Sequence, residues 1–169
     1  MAKLMNKRND YIRWDDYFMG ISLLSAKRSK DPRTQVGACI VSPKNKIVGV
    51  GYNGLPIGCS DDEFPWHHDG NYLDTKYPYI CHAEINALLN NIGKELDGCR
   101  IYTVLFPCNE CTKAIIQSGI TEVIYLSDKH ADTDFVKAAK IMLKKSGIKI
   151  RKFESTLKNL SISFQDHDV

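Results

Sequence analysis

The chain has 169 residues, of which 43% are hydrophobic, 25% charged and 9% aromatic, with 11 Gly and 6 Pro. That length fits one domain, expected over 1–169 with a core of about 11–153, and the apolar content excludes a disordered, collagenous or low-complexity protein. Lys plus Arg is 23 against 20 for Asp plus Glu, a net charge of +3; no nucleic-acid partner is called for, and small anionic ligands stay open. No run of about 18 apolar residues could span a bilayer, and Met1–Asp16 lack the apolar segment of an export signal. Six cysteines without such a signal read as free thiols of a reducing compartment, so a cytoplasmic location and no membrane partner are expected. The Asn159-Leu160-Ser161 triplet has the form of a glycosylation sequon, read without export as chance.

Trp14, Tyr17, Phe18, Ile21, Leu24 and Arg28 recur at three- and four-residue spacing. They predict an amphipathic helix over about Trp14–Arg28, stopped by Asp31-Pro32. Val36–Val41 reads as a buried strand, Ser42–Asn45 as a turn and Lys46–Tyr52 as a second strand, which together make a hairpin. Asn53–Ile80 is rich in Gly, Pro, Asn and Asp and has little periodicity. Two readings stand for it, a functional loop and a flexible insert. His82–Ile92 is a helix with Ile85, Leu88, Leu89 and Ile92 on one side. Strand Ile101–Phe106, helix Asn109–Ser118, strand Glu122–Leu126 and helix Asp134–Ser146 follow, the last apolar at Phe135, Ala138, Ala139, Met142 and Leu143. A final strand starts near Ile148, and the tail after Phe153 is ambiguous. Such alternation calls for an α/β fold whose sheet is largely parallel after the opening hairpin and is covered on both faces.

Two motifs carry chemistry. Cys81-His82-Ala83-Glu84 opens the middle helix, and Pro107-Cys108-Asn109-Glu110-Cys111 opens the next, with Pro107 suited to a helix start. Imidazole and thiolate are the usual zinc ligands, and C-x-x-C spacing lets two sulfurs grip one ion. His82, Cys108 and Cys111 make three. Cys81 would strain the backbone if it joined its neighbour, and Cys39, Cys59 and Cys99 have no partner at chelating spacing. Three protein ligands leave a zinc position for water, which marks a catalytic rather than a structural site. Unpaired N–H groups at helix starts favour thiolates. Glu84 beside such an ion can move protons while an activated water attacks an electron-poor carbon. H-x-E followed by P-C-x-x-C is the pattern of zinc nucleobase deaminases, which act on C4 of cytosine or C6 of adenine.

At these residues, and across about Tyr11–Phe153, the sequence resembles the deoxycytidylate (dCMP) deaminases of animal type, within the zinc-dependent cytidine and deoxycytidylate deaminases. The likeness is carried by Ser29-Lys30-Asp31-Pro32, Val36-Gly37-Ala38, the run Gly51–Asp62, the run Thr75–Glu84, Leu105–Cys111 and Tyr125–Lys129. It implies a three-layer α/β/α cytidine-deaminase-like fold with a five-stranded mixed sheet. It also implies hydrolysis of dCMP to dUMP and ammonia for thymidylate synthesis by a homo-oligomer, typically a hexamer, activated by dCTP with Mg2+ and inhibited by dTTP. By motif, His82, Cys108 and Cys111 would hold Zn2+, Glu84 would be the proton shuttle and Asn53 would bind the deoxyribose.

Ser29, Lys30 and Arg33, just before the first strand, are the candidate phosphate donors. For Lys30 a merely solvated charge is the equal alternative, and the nearby Lys27 and Arg28 read as solvated helix charges. The loop from Gly54 through Gly58 to Asp61 and Asp62 could cradle an effector triphosphate through backbone N–H groups, with either aspartate near magnesium; a structural loop explains its glycines nearly as well. No second Cys/His cluster has metal spacing, so one zinc per chain is expected. His67 and His68 read as exposed loop residues, and His130 and His167 receive no role. Two other functions share the motif: a tRNA-adenosine deaminase, and a silent nucleotide-binding relative. The weak charge and the Gly51–Asp62 run speak against the first, and the intact motif against the second.

Overall fold

The computed structural model describes residues 7–91, 93 and 95–165. The chain runs α1 (Trp14–Ala26), β1 (Gly37–Val41), β2 (Ile47–Tyr52), a short 3-10 turn (Tyr72–Asp74), α2 (Ala83–Leu89), β3 (Arg100–Leu105), α3 (Asn109–Gln117), β4 (Glu122–Ser127), α4 (Asp134–Lys145) and β5 (Lys149–Lys152). The five strands form one sheet in the order β2-β1-β3-β4-β5. β1 is antiparallel to both neighbours, while β3, β4 and β5 are parallel. Four strands therefore share one direction and β1 alone opposes them, which gives the expected mixed sheet. The hairpin turn closes with Asn45 in the left-handed region at φ 58°, a conformation asparagine tolerates better than most residues.

β1 is buried along its whole length, as a continuous apolar run in a central strand should be. Its side chains alternate between two cores. Ala38 and Ile40 join Ile101 and Val123 beneath Ala83 and Ala87 of α2, Ile115 of α3 and Val136, Ala139 and Leu143 of α4. Cys39 and Val41 join Tyr102 and Ile124 beneath Phe18 and Met19 of α1. The layers are thus α1, the sheet, and α2–α4. β5 stands at one edge with Lys149, Arg151 and Lys152, charges that discourage pairing with another strand.

The buried helix faces differ from those read off periodicity. In α1 the buried residues are Asp16, Phe18, Met19, Ser22 and Ala26, whereas Trp14, Tyr17 and Leu24 are exposed. In α4 Phe135 is exposed and Val136 takes its place inside. In α2 the buried stripe is Ala83, Glu84 and Ala87; Ile85 and Leu88 are half-buried and Leu89 is exposed. The helix ends at Leu89, short of Ile92, which lies outside the described residues, as does His167. Close approach explains both α1 and α2. A Cβ on Gly51 would fall 2.3 Å from Ala87 N and 2.4 Å from Ala83 O, and one on Gly37 would fall 1.9 Å from Ser22 O. Small residues must line such contacts, so the bulky apolar side chains turn aside.

The tail after Phe153 crosses the α1 side of the sheet. Arg13 donates to Glu154 O at 2.9 Å, and Leu160 lies against Gly20.

Candidate active site

The strands that share a direction bring their carboxyl ends to one edge of the sheet, the usual place for a site in an α/β sheet. Asn53 follows β2, and Cys108 follows β3. His82 arrives there through an isolated bridge in which Gly54 N donates to Cys81 O at 3.1 Å and Cys81 N donates to Gly54 O at 2.9 Å. The next residue, His82, is the N-cap of α2. Two α2 amides fix that helix against the edge strand: Asn86 donates to Tyr52 O at 2.8 Å and Asn90 to Val50 O at 2.9 Å.

Cys108 is the N-cap of α3, and Cys111 lies in its first turn. The helix starts at Asn109, as read from the sequence, and Pro107 stands just before the cap, where its fixed φ shapes the entry to it. The His82 Nδ1 atom lies 3.5 Å from Cys108 Sγ and 3.4 Å from Cys111 Sγ, and all three ligand atoms fall within 4.8 Å of one another. Tetrahedral zinc with ordinary Zn–S and Zn–N bonds sets N and S about 3.6 Å apart, so this donor set fits zinc as it stands. Nδ1 is the ring atom facing both sulfurs.

Crowding shapes the acid–base chemistry of the three. Cys108 is pushed down to about 4 by the hydrogen bond from Cys111 and, against the cost of burial, by His82. Cys111 is driven up by its bond to Cys108, by burial and by the negative charges of Glu84 and Cys108. His82 is raised, chiefly by Cys108. One thiolate thus stands ready beside an imidazole, and a metal that needs deprotonated sulfur displaces the proton left on Cys111.

Glu84, in the first turn of α2, is 4% exposed. Burial raises its pKa, opposed by the charge on His82. Its Oε1 lies 3.3 Å from Thr103 Oγ1, which also reaches Leu105 O at 2.9 Å. A hydroxyl has one proton and two acceptor positions. Its one proton is donated to either Glu84 Oε1 or Leu105 O. Sequence reading passed over Thr103, because threonine in a strand looks like ordinary β filling.

The remaining candidates lie in the two segments that follow α1 and β2. Asn53 is buried, with its amide held by Val36, Thr34 and Asp31. Ser29 accepts from Asp31 N at 3.3 Å. Lys30 and Arg33 are exposed, and Lys30 is ion-paired with Asp61. That pair joins a phosphate candidate to an effector candidate. Asp62 N donates to Ser60 Oγ at 3.3 Å, and Trp66 Nε1 donates to Asp61 O at 2.8 Å. Gly58 has φ +91° with open space around it, and Gly54 takes part in the bridge. Phe64 packs edge-on to Tyr79, their ring centroids 5.1 Å apart, a contact that joins the two halves of the 53–80 segment. His67 and His68 are exposed there, as expected, and His68 sits 2.9 Å from Asp69. His130 is exposed as well. Among the described residues no helix is long and apolar enough to cross a membrane, and Cys39, Cys59, Cys81, Cys99, Cys108 and Cys111 are free thiols.

Residues 12–127 match the cytidine and deoxycytidylate deaminase zinc-binding region. The deoxycytidylate deaminase of Homo sapiens is 55% identical over 159 residues, covering 94% of this chain and 89% of that one. A probable deoxycytidylate deaminase of Drosophila melanogaster is 53% identical over 165 residues, covering 94% and 81%. The crystal structure of dCMP deaminase from the cyanophage S-TIM5, in complex with dCMP and dUMP, superimposes with a TM-score of 0.68 at 25% identity over 85% of this chain and 100% of that one. With His82, Cys108 and Cys111 converging inside the matched region, the chain belongs to the cytidine and deoxycytidylate deaminase family.

Proposed function

We propose that this chain hydrolyses dCMP to dUMP and ammonia, supplying dUMP for thymidylate synthesis. The observation that carries the reading is the Cys2His triad with a buried carboxylate, Glu84, at its side. Deoxycytidylate deaminases at 55% identity narrow the substrate, and the cyanophage relative binds dCMP and dUMP.

His82, Cys108 and Cys111 would hold the ion, one per chain, with two thiolates and one neutral imidazole. A zinc ion there supplies an activated water nucleophile near neutral pH. Glu84 would take one proton from the attacking water and give it to the ring nitrogen of cytosine, then take the second from the new C4 hydroxyl and pass it to the amino group, which leaves as ammonia as the C4 carbonyl forms. Its burial suits that task, since a carboxylate of raised pKa gives and takes protons more readily at neutral pH. Thr103 holds Oε1 in place. Asn53 binds the deoxyribose, and Ser29, Lys30 and Arg33 receive the phosphate.

Gly54, Gly58, Asp61 and Asp62 form the effector region, where dCTP with Mg2+ activates and dTTP inhibits. Residues 1–169 act as one catalytic domain with its core at about 11–153, assembled into a homohexamer in the cytoplasm; the free thiols support a reducing compartment.

The test follows ammonia release and product identity from dCMP, CMP, deoxycytidine and dCTP, each with and without dCTP–Mg2+ or dTTP. Conversion of dCMP, raised by dCTP and lowered by dTTP, is expected. Turnover of another nucleotide alone overturns the substrate. No turnover by zinc-loaded protein overturns the reading in favour of a tRNA-directed or silent relative.

A further inference from the structure

Asp31, Asn53 and Lys76 come from three separate stretches of chain, yet all are buried, at 3%, 6% and 6% exposure. Asp31 is the hub. One carboxylate oxygen accepts from Arg33 N at 2.9 Å and Thr34 N at 3.1 Å, shaping the turn that enters β1. The other pairs with Lys76 Nζ and lies 3.4 Å from Asn53 Nδ2. The turn in its place sets Thr34 O 3.0 Å from Asn53 Nδ2 and Val36 N 2.8 Å from Asn53 Oδ1.

These contacts fix which way the Asn53 amide faces. A backbone N–H can only donate, so the atom near Val36 is the oxygen; a backbone carbonyl can only accept, so the atom near Thr34 is the nitrogen. Both Nδ2 protons are then committed, one to Thr34 and one to Asp31. What remains is a single lone pair on Oδ1. A buried ion pair is a weak source of stability compared with apolar residues of the same volume, so the worth of Asp31–Lys76 is better sought in what it holds still.

We propose that Asp31 and Lys76 are positioning residues that lock the Asn53 amide as a hydrogen-bond acceptor toward the substrate sugar. The inference rests on the reading of Asn53 as the deoxyribose contact. In dCMP the 5′ oxygen carries phosphate, so the 3′ hydroxyl is the one sugar group able to donate. The site therefore selects a sugar that offers a proton at that position.

Wild-type enzyme is assayed first on dCMP and on its 3′-deoxy and 3′-fluoro analogues. Fluorine can accept but not donate. KM for both analogues is expected about tenfold above that for dCMP, the loss of one hydrogen bond of about 1.4 kcal/mol. A 3′-fluoro analogue that behaves like dCMP overturns the proposal, because the amide would then be donating. Next, the double variant D31N/K76M removes both buried charges while keeping shape. Zinc content, Tm and kcat near wild type are expected, with KM for dCMP raised about tenfold and KM for the 3′-deoxy analogue unchanged. Equal losses on the two substrates, or intact discrimination, overturn a positioning role. Should the double variant fail to fold, the wild-type analogue series still decides. Absence of turnover on any cytosine nucleotide overturns the deaminase reading itself, whereas dCMP turnover without discrimination at the 3′ position overturns this inference alone.

Discussion

Gly51→Ala tests whether the seating of α2 on β2 sets the geometry of the catalytic residues. The added methyl would lie 2.3 Å from Ala87 N, 2.4 Å from Ala83 O and 2.8 Å from Asn86 C. All three are backbone atoms, so no side chain can swing away. Ordinary contact lies near 3.5 Å, and α2 must therefore retreat by about 1 Å. Overpacking of this kind costs typically about 1–3 kcal/mol, and a backbone clash belongs at the upper end. For a chain of this size, about 3 kcal/mol corresponds to a Tm lower by about 6–12 °C. The same retreat carries His82 and Glu84 with it. A misplacement of about 1 Å at reacting groups costs on the order of 100-fold in rate. Thermal unfolding, zinc content and dCMP turnover should be measured beside a control, Gly147→Ala. Gly147, after α4, has φ +76° and no neighbour within 4 Å of its would-be Cβ, so that change costs about 1 kcal/mol of backbone strain and leaves turnover intact. Gly51→Ala within 2 °C and twofold of wild type would refute the reasoning.

Glu84→Gln should keep zinc and nucleotide binding and lower deamination by about 10²–10⁴-fold; full activity would remove Glu84 from the mechanism. Cys108→Ser or Cys111→Ser should lose metal by elemental analysis, and undiminished zinc would contradict their assignment as ligands. Acid should weaken the fold through two aspartates of α1. The Asp15 pKa is held down although burial pushes it up, because Arg151 and Tyr102 bond its carboxylate. That of Asp16 is lowered chiefly by Arg13. Each group binds its proton more weakly folded than unfolded, so its stabilisation is full above the ordinary carboxylate pKa of about 4 and is lost as pH falls through the lower folded value. Asp15→Asn should flatten the decline of Tm below about pH 4; an unchanged acid slope counts against the Asp15–Arg151 bond.

The site was legible in the sequence where chemistry and spacing coincide. His82, Cys108 and Cys111 are recognisable because few functions other than metal binding call for those residue types at helix starts. β1 was legible because a run from Gly37 to Val41 without a charge fits a buried central strand. Helix faces were less so. Periodicity weighs the bulk of Trp14, Tyr17 and Leu24, whereas the packing of α1 and α2 is decided by where glycines in the facing strands let a backbone come near. Asp31 was read as a helix stop, and nothing local linked it to Lys76. Separated by 45 positions, they look like surface charges until the fold closes around them. The same holds for Thr103, whose partner Glu84 is 19 positions away.

The Gly54–Cys81 bridge has a consequence for how this molecule can vary. It ties off residues 55–80 at a neck, and the metal ligand begins immediately beyond it. Lengthening a closed loop of that size by ten residues costs only about 0.3 kcal/mol in closure entropy. The exposed tip, residues 68–71, can therefore be lengthened while His82 stays where the bridge puts it. Variation in length on one side of the neck is thereby uncoupled from the position of the metal ligand on the other.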